Sequence, residues 1–161
     1  MPAHRTPGLA LAAAALAASL AACGHGPAVE VNAADANLNS RWHASVASPR
    51  TLAGVVQMTG LATMAPAGGG KTGVAISLAN ATAGGVHPWQ VHRGQCGVDE
   101  GVWGAPEAYE AMKVGDDGRA AAEATVSLPS PAGGRYFVSV QASRENPGLV
   151  VACGNLAPPT L

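Results

Sequence analysis

The chain has 161 residues, with nine Lys and Arg against ten Asp and Glu and a formal net charge of −1. It has no basic stripe and no acidic tail, so it lacks the electrostatic footprint that nucleic-acid binding requires. Hydrophobic residues make up 48% of the chain but aromatic residues only 4%, which predicts a small core built from Val, Leu, Ile and Ala.

The first element is a leader. "MPAHRTPG" is short and weakly basic, and the apolar run "LALAAAALAASL" follows it. That run, of about 12 residues, is too short to span a bilayer and reads as an export signal. It ends in "LAAC", Leu20 to Cys23. Small residues directly before a cysteine resemble a bacterial lipoprotein signal. The resemblance implies cleavage after residue 22, lipid on Cys23 and anchorage to a membrane of the bacterial cell envelope. An ordinary secretory signal with an incidental cysteine is the alternative, and it too leads out of the cytoplasm. Residues 24–38, "GHGPAVEVNAADANL", have no periodicity and read as a tether that includes His25. The expected organisation is a signal over 1–22, a lipidated N-terminus and tether over 23–38, and a domain over 39–158.

Within that domain, short β-branched or alternating segments are punctuated by Gly and Pro. Strands are predicted over 41–47, 51–58, 72–79, 86–93, 123–128, 135–142 and 149–156, with "APEAYEAMKV" as the one stretch that could form an amphipathic helix. Seven strands without helical alternation predict an all-β, antiparallel sandwich or barrel. "APAGGGKT", at 65–72, formally fits a loosened phosphate loop, but a strand pattern follows it where that chemistry needs a helix N-terminus. It reads as a hairpin loop. The stretch 94–118 is long enough to be a functional loop. Its Asp99–Glu100 pair, like Asp116–Asp117, reads as solvated turn residues.

If Cys23 carries lipid, Cys96 and Cys153 remain as an even pair in an oxidising compartment. A disulfide between them is expected, with two unpaired thiols as the alternative.

The chemistry-bearing stretch is "HPWQVHRGQCG", His87 to Gly97. On a strand, Gln90 and His92 share one face while His87 points to the other. A metal site on a strand would want His-x-His at 90 and 92; this sequence offers Gln-x-His. Together with "VSVQASREN" (138–146) and "ACG" (152–154), the stretch resembles the copper/zinc superoxide dismutase family, and within it the small exported bacterial members. "HPWQVH" matches the family's H-G-F-H-x-H, Cys96 its following cysteine, "VSVQASREN" its V-x-H-A-x-x-D-D and "ACG" its near-terminal A-C-G. The resemblance implies a Greek-key β-sandwich with a Cys96–Cys153 disulfide.

The same resemblance argues against catalysis. The family holds copper with four histidines, and the positions that match three of them here are Gln90, His92 and Gln141. Residues 94–118 contain no histidine for the fourth ligand, and Val150 stands where the family has a substrate-guiding arginine. A neutral amide is a poor donor for redox copper. His92 is therefore the metal candidate, with Gln90 and Gln141 as amides at family ligand positions, and no cofactor is expected unless copper binds there. Gln90 and Gln141 read first as solvated residues of a sheet surface. A residual metal contact and a contact to an unidentified protein or small molecule are the other readings. His87 and Trp89 read as structural, and His43 as surface or core. The expected function is a non-catalytic binding or structural module on the envelope. The alternatives are a superoxide dismutase relative with a variant copper site and a domain resembling the non-catalytic chordin repeat.

Overall fold

A computed structural model of the chain describes residues 41–160. The expected signal, the lipid site at Cys23 and the tether with His25 lie outside the described residues. Ten strands are present among those described: β1 (Trp42–Ala47), β2 (Thr59–Gly68), β3 (Lys71–Ala79), β4 (Val86–His87), β5 (Trp89–Gln95), β6 (Val98–Val102), β7 (Met112–Lys113), β8 (Ala120–Val126), β9 (Tyr136–Gln141) and β10 (Val150–Leu156). Eight form one antiparallel sheet in the order β6-β5-β9-β10-β1-β2-β3-β8, and β4 pairs with β7 apart from it. The large sheet curls into a half-barrel, so the fold is an all-β antiparallel sandwich or barrel.

After the meander β1–β2–β3, the chain crosses to the far end of the sheet for β5 and β6. It then returns to set β8 beside β3 and crosses again to set β9 beside β5. These crossings place residues far apart in sequence on adjacent strands, which is what assembles the cleft described below.

Alternation drives the strands. β1 buries Trp42, Ala44 and Val46 and exposes the residues between, His43 among them; β3 buries Thr72, Val74, Ile76 and Leu78. The "APAGGGKT" segment is the β2–β3 hairpin, turned by Gly68, Gly69 and Gly70 at positive φ. Proline divides the predicted strand 86–93: Pro88 offers no N–H to a ladder, so β4 ends before it and β5 begins after it.

Three expectations are corrected. Residues 51–58 form no strand but a 3-10 turn at Arg50–Leu52 followed by irregular chain. Their apolar residues do not alternate, Gly54 takes φ 84°, and β2 lies just beyond, where period 2 begins. "APEAYEAMKV" makes a single 3-10 turn, Pro106–Ala108, and then β7 rather than a helix. The core is also not purely aliphatic: all three tryptophans, Tyr109 and Phe137 are buried. Trp89 meets Tyr109 edge to face at 5.3 Å, and Trp42 meets Tyr136 at 5.5 Å. Two of the three indole N–H groups donate to backbone carbonyls: Trp89 Nε1 to that of Glu110 at 2.7 Å and Trp42 Nε1 to that of Pro131 at 3.1 Å. Each such ring pair adds about 0.5–1.5 kcal/mol beyond its burial, so few aromatics supply a large share of the packing. Residues 94–118 are correspondingly more than a loop. They hold β6 and β7 and bury Trp103, Tyr109, Met112 and Val114 in the core.

Candidate functional site: a cleft on the outer face of β5 and β9

Strands β5 and β9 pair antiparallel, with Trp89 opposite Val140, Gln90 opposite Ser139, Val91 opposite Val138 and His92 opposite Phe137. Residues directly opposite share a face. Trp89, Val91, Val138 and Val140 therefore face the core. Gln90, His92, Phe137, Ser139 and Gln141 face the other way, where a sheet surface would ordinarily meet water. That face is nevertheless covered: His92 is 7% exposed, Gln141 6% and Ser139 2%. The expectation that Gln141 is solvated is thus corrected, and Gln90 is half-buried beside it.

The face floors a cavity of about 890 Å³. Its walls come from the 143–149 segment, through Arg144 and Pro147, from Val150 of β10, and from Pro49 and Pro88. The disulfide closes one side. Cys96 and Cys153 are bonded with their Cα atoms 6.0 Å apart, which ties the β5–β6 turn to β10. Cys96 N–H also donates to Asn155 Oδ1 at 2.8 Å.

His92 is held from both sides. Its Nδ1 lies 2.9 Å from Asp99 Oδ1, and its ring stacks on Phe137 with centroids 5.2 Å apart and planes inclined by 27°. Asp99 reaches it because of a local irregularity. The β5–β6 register shifts between His92↔Val102 and Gly94↔Asp99, so β6 carries one extra residue, a β-bulge. Asp99 then lies opposite Gly94, on the face of His92, and Gly94 places no side chain between them. The same carboxylate oxygen accepts the Gly101 N–H at 2.7 Å. Burial alone would raise the Asp99 pKa, but the hydrogen bonds from Gly101 and His92 outweigh it and hold the carboxyl below its ordinary range. A carboxylate only accepts, so His92 Nδ1 donates to it. In the neutral ring Nε2 then carries the lone pair, and the atom is buried and without a partner.

Gln141 is fixed in a similar way. Its backbone N–H donates to the Pro88 carbonyl at 2.9 Å, and its own carbonyl accepts from His87 Nδ1 at 3.0 Å. Its side-chain Nε2 donates to Ser139 Oγ at 2.9 Å, which leaves Oε1 buried without a partner. His87 is itself buried, on β4, and is absent from the cavity walls; Trp89 lies on the core side of β5. A buried acceptor left unpaired costs about 1–3 kcal/mol, and His92 and Gln141 each carry one such atom.

The donor set does not fit copper. Among the described residues no three His, Cys, Asp or Glu side chains converge on one point. Among the described residues His92 is the one imidazole lining the cavity; one of its nitrogens is engaged by Asp99, and Gln90 and Gln141 in the same lining supply amides. Val150 lines the same cavity.

The structure therefore brings together Gln90, His92, Gln141 and the disulfide cysteines, and adds Asp99 and Ser139, which sequence reasoning missed. A signal for Asp99 was present. "QCGV" is a two-residue hairpin turn at Cys96–Gly97, and its ladder carries Asp99 back alongside β5. Ser139 shows only the alternation of "VSVQ" and gives no sign that both faces of β9 are covered. The chain matches no protein-family model and no curated protein.

Proposed function

We propose that the mature protein is an exported lipoprotein, held on the bacterial envelope by lipid at Cys23, whose domain is a superoxide-dismutase-like sandwich acting as a non-catalytic binding module. The observation that carries this reading is the floor of the cleft. Where the family gathers imidazoles around copper, this chain presents His92 with its Nδ1 given to Asp99, flanked by Gln90 and Gln141. The strand order, with β5 and β9 adjacent and a disulfide from the β5–β6 turn to β10, supports the family resemblance. Redox cycling at copper needs several imidazoles on one ion, and one imidazole beside two amides does not provide them.

A second reading, a variant copper site, is favoured by one feature. A carboxylate on the far nitrogen of a histidine is the usual support of a metal-ligating imidazole. Metal analysis of the mature chain, purified without a tag and offered copper and zinc, separates the two readings. The binding-module reading expects neither ion at one equivalent and no dismutation of superoxide. One equivalent of copper together with dismutation would overturn it.

A further inference from the structure

We propose that the outer face of β1, β2, β3 and β8 pairs with the same face of a second copy of this chain, about a two-fold axis that runs parallel to the strands between β2 and β3. This inference goes beyond the binding-module reading and concerns a part of the sheet other than the β5–β9 cleft. Three features support it: matched relief on the two central strands, a charge pair that the same axis brings together, and the end of the domain at which the chain enters.

The four strands are consecutive in the sheet, and alternation turns their odd-numbered residues away from the core. Across β2 and β3, Thr59 stands opposite Ala79, Leu61 opposite Ser77 and Thr63 opposite Ala75, so at each level β2 carries the larger side chain. Leu61 is the peak of this ridge, 63% exposed. Beside it lies a hollow of about 670 Å³ lined by Ser77, Ala79 and Ala121, with Lys113 and Arg119 also on its wall. A two-fold between the two strands lays the β2 ridge of each copy on the small residues of β3 in the other, with Leu61 over Ser77 at the hollow. A two-fold perpendicular to the strands would set ridge on ridge. The parallel axis also brings β1 onto β8. His43 and Glu123 lie at the level of Thr63 and Ala75, so the imidazole of each copy meets the carboxylate of the other. Both copies of β1 then run the same way, and both chains enter at Arg41 from one end of the dimer. Two copies held in one membrane by the proposed lipid at Cys23 require that arrangement. The face spans four strands about 4.8 Å apart and the length Thr59–Ala65 at about 3.4 Å per residue, roughly 19 Å by 24 Å, so the pair buries on the order of 900 Å² in total. That is below the roughly 1,200–2,000 Å² of stable interfaces, which makes the dimer weak and reversible. Anchorage to one surface raises the effective concentration of the copies and favours a contact of this strength.

The test is sedimentation equilibrium of the mature chain carrying Cys23→Ser. It should form reversible dimers with a Kd between about 10 μM and about 1 mM, the range of a small interface. Leu61→Glu should weaken association at least about tenfold. His43→Glu should weaken it about two- to fivefold by setting two carboxylates together. His43→Glu combined with Glu123→His should recover it, because the exchanged pair faces across the same axis. All three positions are exposed, so the variants keep the fold. A chain that stays monomeric at about 1 mM overturns the proposal, whatever the variants do. Association that survives Leu61→Glu, or that the exchanged pair fails to recover, places the contact elsewhere and overturns it as well. The same chain is offered phosphatidylglycerol vesicles. A monomer that sediments with them, and is released by Leu61→Glu, would give this face to the membrane and not to a second copy. None of these outcomes bears on the metal content of the cleft, so failure of the dimer leaves the binding-module reading to its own test.

Discussion

Asp99 Oδ1 lies 2.9 Å from His92 Nδ1, and this contact, made across a β-bulge, decides which nitrogen of the histidine is left for chemistry. Neutral His92 should therefore exist as the Nδ1–H tautomer. Imidazole 15N spectra above the titration of the ring should show it, and Asp99→Ala should shift the ring toward a mixture of tautomers. A wild-type spectrum dominated by Nε2–H would refute the assignment. The Asp99 side chain is 56% exposed, so the stability cost of Asp99→Ala should stay within about 1 kcal/mol. The sign of its pH dependence follows from its lowered pKa. The contribution is complete above the ordinary carboxylate range and disappears as pH falls through the lower folded value.

Adding imidazoles to the cleft should add metal affinity. Gln90 and Gln141 lie on the face of His92, on two adjacent strands that line one cavity. Gln90→His with Gln141→His would place three imidazoles there, and the double variant should bind copper more tightly than the wild-type chain in a competition titration. Dismutation should remain poor, since the resemblance implies that Val150 stands in place of a substrate-guiding arginine. Unchanged copper affinity would mean that the three positions do not converge.

The Cys96–Cys153 bond closes a loop of 57 residues and walls the cleft. On the chain-entropy model a loop of this length is worth roughly 4 kcal/mol, so Cys96→Ser should lower unfolding stability by a few kcal/mol. Thiol labelling of the unreduced protein should leave both cysteines unmodified. Free labelling of both would contradict the pairing.

Gly154 tests the packing beside that bond. A Cβ added there would run into the backbone carbonyl of Ser45 on the neighbouring strand β1, and backbone cannot move aside as a flexible side-chain tip can. Gly154→Ala should therefore destabilise by about 1–3 kcal/mol, the range for overpacking, and denaturant unfolding would measure it. A loss below about 0.5 kcal/mol, the level of an ordinary surface change, would show that β1 and β10 tolerate separation.

Cys23 should be the mature N-terminus and carry lipid. Mass spectrometry of protein extracted from native membranes should find no residue before Cys23 and the added mass of acyl chains. A chain beginning at Met1, or a soluble form with unmodified Cys23, would defeat this expectation.

The sequence by itself determined the all-β class and the inward face of its clearly alternating strands. Alternation in "WHASVA" and "KTGVAISLA" prescribes which residues enter the core, because side chains on a strand point alternately to two faces. The Cys96–Cys153 pair was legible as an expectation, and the structure shows the bond. Tertiary structure decided what the outward faces meet. Read locally, Ser139 and Gln141 in "YFVSVQ" are the wet half of an alternating strand, since nothing within a few residues signals a cover. They are buried because the chain crosses the sheet after β8 to bring β9 beside β5, and the 143–149 segment and the disulfide then close over that face. The role of Asp99 is equally non-local. Its carboxylate is an ordinary hairpin residue until one extra residue in β6 turns it onto His92. Alternation is a property of neighbouring residues and can be read along the chain, whereas burial of the second face depends on contacts between segments about fifty residues apart, which only the folded topology brings together.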